Sequence, residues 1–422
     1  MSGVISLKRL TKIVNRGASP VYDDFGTAKF INQACIYWTG VKELAIKPAD
    51  ESKHRPGSRG YLEKGDILVN STGTGTLGRA AIFNEDNDGS YFADSHVTIV
   101  RPDPKILDSS YAKYVIQTDS FQDKIYTFCV SGSTNQIELS RERFRELELG
   151  GIEVHEQKKL ADYLDTKTQT LDKILTAKNH TRTHLSELRQ AIITTAVLGT
   201  GGTAMDLQDT NIPWIGKIPA HWEVKKIKHV ATVKARIGWQ ALTTDEYIDK
   251  GPFLVTGTDF RDGTVDWKTA AHVSDQRWAI DSNIQLEEDD LLLTKDGTIG
   301  KVAMVKSLVG KATLNSGVFV IRAKNDEYNP RYLYHILSSG VFTDFIEYMK
   351  TGSTINHLYQ QTFVEFSFPM PPRKEQDEIV KLIDRRLEQV DIAIEKVVKS
   401  TGLLEEYRSS LISNVVGGKV EV

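Results

Sequence analysis

The chain repeats itself, and the repeat limits what it can fold into. Residues 155–199 align with residues 374–418 at a constant offset of 219 and without a gap. Glu156-Gln157 matches Glu375-Gln376, Leu164-Asp165 matches Ile383-Asp384, Leu171-Asp172 matches Val390-Asp391, and Arg189 matches Arg408. The segments before them match more loosely. Gly65-Asp66-Ile67-Leu68-Val69 resembles Asp289-Asp290-Leu291-Leu292-Leu293, Gly75-Thr76-Leu77-Gly78-Arg79 resembles Gly297-Thr298-Ile299-Gly300-Lys301, and Gly132-Ser133-Thr134 resembles Gly352-Ser353-Thr354. A globular unit followed by a long helix therefore occurs twice.

The gapless segments carry a heptad pattern. Leu164, Leu171, Leu185 and Ile192 share one position of the first, and Leu160, Ile174 and Leu188 the other. In the second, Ile383, Val390, Val397, Leu404 and Leu411 share one position, and Ile379, Ala393 and Tyr407 the other. This is the seam of a coiled coil, and each helix is the other's natural partner. About 44 helical residues span about 66 Å. Four parts follow: a globular domain over 1–152, a helix and linker over 153–202, a second globular domain over 203–372, and a second helix over 373–422. Strands are expected at Ile67–Asn70, Val97–Val100, Leu291–Thr294 and Val318–Ile321. Helices are expected at Ser110–Phe128 and Pro330–Met349. The fold class is mixed α/β heads on antiparallel helices.

At 422 residues, two or three domains are expected. The net charge of −3 is spread as 0, +1, −3 and −1 over the four parts, so no part is a basic block. Nucleic-acid binding would need locally arranged cations or a partner that adds them. The longest apolar stretch, Ala191–Leu198, is far short of a membrane span. No secretory pattern opens the chain, so Cys35 and Cys129 read as reduced thiols of a cytoplasmic protein.

No catalytic constellation emerges. Gly73–Ala80 approaches a phosphate-binding loop but lacks its lysine and its magnesium-binding hydroxyl, so it reads as a turn. Pro371-Pro372, between Met370 and Arg373, does not complete a methyltransferase motif. His180 and His184 have metal-ligand spacing on a helix without the catalytic glutamate between them. No metal or cofactor is expected on this chain.

The repeated loops instead offer glycine amides, short hydroxyls and a cation, which suit phosphates and base edges. The first copy supplies Thr74, Thr76 and Arg79, then Ser133, Thr134, Asn135 and Gln136. The second supplies Arg236, Lys295, Thr298 and Lys301, then Ser353, Thr354, Asn356 and His357.

Two motifs carry a family resemblance. Pro213-Trp214-Ile215-Gly216-Lys217-Ile218-Pro219-Ala220-His221-Trp222 resembles the opening of a target recognition domain. Pro371-Pro372-Arg373-Lys374-Glu375-Gln376, running into Ile383-Asp384, resembles the start of its conserved helix. With the tandem order, the whole chain resembles the specificity (S) subunit of type I restriction–modification systems. The first copy departs from the pattern: it begins near Leu7–Leu10 without the Ile-Pro-x-His-Trp lead, and its helix lacks the prolines. The resemblance implies a non-catalytic subunit. Each head would read one half of a split, asymmetric site in double-stranded DNA, and the antiparallel helices would set the spacing about a pseudo-two-fold axis. Two methyltransferase subunits would methylate adenine at N6 with S-adenosylmethionine that they bind. Restriction subunits using ATP and magnesium would complete the complex. A methyltransferase with a diverged donor site and a scaffold whose heads bind protein remain open alternatives.

Overall fold

The computed structural model describes residues 4–133, 136–201, 206–236, 242–326, 328–350 and 357–422. It contains two compact units, one of Met1–His180 with Val398–Val422, the other of Thr181–Val397. Each unit holds one mixed α/β head and a stretch of both long helices.

In the first head four strands pair antiparallel in the order Thr11–Arg16, Val97–Pro102, Ile67–Asn70, Ala80–Ile82. The apolar run of Ile67–Asn70 is buried on both faces. Ile67, Val69 and Val100 pack toward the helix Ser109–Gln117, while Leu68, Val97 and Ile99 pack under Ile31, Cys35 and Phe83. A three-stranded sheet follows the order Lys47–Ala49, Ala28–Ile31, Tyr91–Ala93, the last two parallel. The second head repeats the plan with Ala231–Ala235, Val318–Ala323, Leu291–Thr294 and Val302–Met304. Its smaller sheet likewise contains a parallel pair, Ile248–Val255 with Ala312–Leu314.

The four expected strands are present, two of them running slightly longer, to Pro102 and Ala323. Both expected head helices are broken. The first divides into Ser109–Gln117 and Asp119–Lys124, then a wide π turn at Ile125–Cys129. The second divides into Pro330–Leu337 and Gly340–Lys350. At each break a hydroxyl caps the helix that follows. Thr118 Oγ1 accepts from Phe121 N, and Ser339 Oγ accepts from Val341 N.

A buried ion pair fixes the loop before the central strand of each head. Asp66 accepts from Arg101 Nε at 2.7 Å and from the backbone of Glu63 at 2.8 Å. Asp290 accepts from Arg322 Nε at 2.6 Å and from Glu287 at 2.7 Å. The repeated aspartates are therefore structural.

The long helices run over Val154–Leu198 and Arg373–Val416. In the first unit Leu164, Leu171, Leu411, Ile412 and Val415 pack with Tyr114, flanked by Leu160 and Leu404. In the second, Ile193 and Val197 pack with Ile379, Val380, Ile383 and Leu387, and Val390 is also buried. Leu185, Ile192 and Val397 are half-buried. Three expected seam residues are instead exposed: Ile174 at 40%, Leu188 at 48% and Tyr407 at 57%. A helix of period 3.6 drifts about 20° per heptad against a 3.5 repeat. Late in each helix burial thus passes to Ile193, Val197, Ile412 and Val415.

The helices meet in the same way twice. In the first unit Arg408 Nε donates to Asp172 at 3.0 Å, and in the second Arg189 Nε donates to Asp391 at 2.9 Å. These residues are repeat partners, so one bond is made twice with the helices exchanging roles.

Candidate nucleic-acid interface

The glycine loops close identically. Gly78 N donates to Asn70 O at 2.9 Å, and Gly300 N donates to Thr294 O at 3.0 Å. Gly78 has φ +85° and Gly300 has φ +93°, conformations that side-chain-bearing residues disfavour. At Gly78 a Cβ would also stand 2.3 Å from Gln122 Oε1, whose amide in turn holds the Gly78 carbonyl.

Each loop lies against a second segment far away in sequence. In the first head, Leu139 N donates to Ser71 O at 2.8 Å, and Thr72 bridges Glu138 on the hairpin Val130–Ser133 with Gln136–Leu139. In the second, Leu358 N donates to Lys295 O at 2.8 Å, and Asp296 bridges His357. In each head the glycine loop thus adjoins a downstream segment, Glu138-Leu139 in the first and His357-Leu358 in the second.

Within this arrangement Thr74, Thr298 and Lys301 are exposed. Thr76 is half-buried, its hydroxyl donating to Thr72 O, so it braces the turn. Arg79 is half-buried with its guanidinium 5.8 Å from the centre of the Tyr37 ring. Ser133 and Gln136 are paired at the hairpin end. His357 is half-buried, with Nδ1 on the Asp296 carboxylate and its ring 4.6 Å from that of Tyr359. Thr134, Asn135, Ser353, Thr354 and Asn356 lie outside the described residues.

Two expected contacts are corrected. Arg236 is 3% exposed, with Nε donating to Leu314 O at 2.8 Å and Nη2 to Thr313 Oγ1 at 3.2 Å. Burial pushes its guanidinium below the ordinary arginine value, and the nearby Arg277 charge adds to this. It is bound to the strand Ala312–Leu314. Lys295 is also buried and bound to Asp296 at 2.9 Å, so its charge is matched within the protein. Sequence spacing identified cations near the loop but not the carbonyls and carboxylates that fold back onto them.

The heads are fastened to the helices by the repeated glutamines and aspartates. Gln157 Oε1 accepts from Asp108 N at 2.8 Å, and its amide donates to Ile106 O and Ile152 O. Gln376 Oε1 accepts from Asn329 N at 2.8 Å, and its amide donates to Pro371 O. Asp165 accepts from Tyr114 Oη at 2.6 Å, and its repeat partner Asp384 accepts from Arg331 and stands 3.2 Å from His335 Nε2. These fastening roles are not visible in composition or spacing; only the recurrence of the residues signals them.

Two mixed α/β heads, each with a glycine loop beside a downstream segment and each joined to a long helix of the same sequence pattern, define a class of DNA-specificity proteins. The chain belongs to the type I restriction modification DNA specificity domain family, whose model matches residues 58–181 and 219–400. It is 23% identical over 218 residues to the type I restriction enzyme EcoBI specificity subunit of Escherichia coli, covering 52% of this chain and 43% of that protein. It is 27% identical over 202 residues to the MjaIX specificity subunit of Methanocaldococcus jannaschii, covering 47% and 45%. The chain thus spans about half the length of the curated relatives it matches. Its fold matches a chain from a structural study of complex assembly and conformational transition in the type I R-M system, with TM-score 0.69, 13% identity, and 98% and 97% of the two chains covered.

Proposed function

We propose that this chain is the DNA-reading subunit of a type I restriction–modification complex and is not itself an enzyme. Each head reads one half of a split site in double-stranded DNA. The carrying observation is the duplicated pairing of a glycine loop with a downstream segment, which gathers exposed hydroxyls and a cation at matching places on both heads. Hydroxyls and amides there reach base edges, while the cations anchor phosphates.

The long helices set the distance between the half-sites and carry the partners. Leu188 and Tyr407 are repeat partners and both are exposed, offering equivalent apolar contacts to two copies of one subunit. Those copies are methyltransferase subunits that modify adenine at N6 and bind S-adenosylmethionine. Restriction subunits supply ATP- and magnesium-dependent cleavage. The complex works in the cytoplasm, and among the described residues no helix is long and apolar enough to cross a membrane.

Single-molecule mapping of N6-methyladenine, with and without this gene and with the partner subunits expressed, tests the reading. A split motif with a fixed gap that disappears on deletion supports it. An unchanged map refutes it. Binding of S-adenosylmethionine by the purified chain alone would favour an enzyme instead.

A further inference from the structure

Tyr37, Lys42 and Arg79 form a corner of the first head that the second head lacks. Tyr37 lies on the small hairpin Ile36–Tyr37 with Gly40–Val41, packed on the strand Ala80–Ile82 that Arg79 precedes. Lys42 Nζ stands 3.8 Å from the centre of the Tyr37 ring, and the Arg79 guanidinium stands 5.8 Å from it. Their charges therefore lie within about one Debye length at 0.1 M salt. Among the described residues neither cation forms an ion pair with a carboxylate. The adjacent Glu43 instead lines a cleft with Ile46 and Tyr91.

In the corresponding corner of the second head the hairpin is neutral, with Lys301 in the place of Arg79. Its hairpin is Phe260–Arg261 with Thr264–Val265, so Arg261 takes the place of Tyr37. The residue after the hairpin is Asp266 instead of a lysine, and it pairs with Arg261 at 3.1 Å.

Two unmatched cations held around one aromatic ring beside the glycine loop repel each other and gain from an anion that reaches both. We infer that Tyr37, Lys42 and Arg79 form a seat for a DNA phosphate, present in the first head and absent from the second. The inference rests on the DNA-reading function proposed above and adds where the backbone is gripped. Phosphate contacts carry no sequence information, so the seat contributes affinity to matched and scrambled duplexes alike.

The test uses the full chain with its methyltransferase subunits, titrated onto a duplex with the mapped motif and onto a scrambled one at several KCl concentrations. The Lys42→Gln, Arg79→Gln double variant is expected to reduce the slope of log K against log salt by about 0.9, the loss of one phosphate contact, and each single variant by part of that. Arg261→Gln should leave the slope unchanged, and Tyr37→Phe should behave as wild type. An unchanged slope for the double variant, with wild type still selective for the motif, overturns the seat while leaving the DNA-reading function intact. A wild-type complex without selectivity overturns both.

Discussion

Gln157 gives the sharpest energetic test of how a head is fixed to its helix. The side chain is 2% exposed and makes three hydrogen bonds, to Asp108 N at 2.8 Å, Ile106 O at 3.1 Å and Ile152 O at 2.8 Å. Gln157→Leu keeps most of the volume and removes all three partners. Each orphaned buried group costs about 1–3 kcal/mol. Because the two carbonyls share one amide and water can reach part of the space, the lower end applies, about 3 kcal/mol in total. Since 1.4 kcal/mol is a factor of ten, the local opening equilibrium rises by about two decades. Asp108 also caps the helix Ser109–Gln117 by accepting from Tyr111 N. The effect should therefore spread to the start of that helix. Hydrogen exchange followed by mass spectrometry reads this directly, with peptides over 106–115 losing protection while those over the second head do not change. Gln157→Glu keeps the Asp108 bond but turns the donor atom into an acceptor facing two carbonyls, so it should be no better tolerated. Protection within a factor of three of wild type in Gln157→Leu would refute the fastening role and the reason given for the Glu-Gln repeat.

Other consequences can be measured alongside. The Asp172–Arg408 pair is largely shielded, with side chains 25% and 14% exposed. Either single Ala substitution should destabilise the first unit by about 1–2 kcal/mol, and a double-mutant cycle in denaturant should return a coupling of about 1 kcal/mol. His335 is buried and desolvation lowers its pKa, with Asp384 opposing the shift and Arg331 and Arg189 reinforcing it. A depressed histidine lends stability that is full above the unfolded value of about 6.5 and is lost as pH falls below it. The second unit should accordingly loosen below that pH, an effect that His335→Phe reduces. Hydrogen exchange at pH 7.5 and 5.5 separates the units, and equal losses in both heads would reject the assignment. Inserting four residues into the first long helix adds about 6 Å, which should widen the unread gap by one or two base pairs at about 3.4 Å each. An unchanged gap in the methylation map would reject a spacing role.

The parts of the fold that were legible in sequence are those where one physical pattern repeats. The long helices announce themselves by heptads and by a gapless match, and the central strands by apolar runs such as Ile67–Asn70 and Leu291–Thr294. Periodicity says nothing about what lies beside a helix, so the exposure of Ile174, Leu188 and Tyr407 was not visible. Nor could it show that Thr118 and Ser339 cap from within what looks like one continuous amphipathic run. The candidate site divides the same way. Glycine spacing located the loops, because Gly78 and Gly300 need positive φ whatever surrounds them. The state of a cation depends on its neighbours in space. Arg236 and Arg79 look equally available in the sequence, yet one is spent on Leu314 O and Thr313 while the other lies over Tyr37. The internal repeat offers a way past this limit. Where both copies keep a residue, as with Gln157 and Gln376 or Asp66 and Asp290, the structure gives it the same bonding job twice. Where they diverge, as with Lys42 against Asp266, the surface chemistry of the heads diverges too. A duplicated chain therefore separates its scaffold from its variable surface by its own internal comparison.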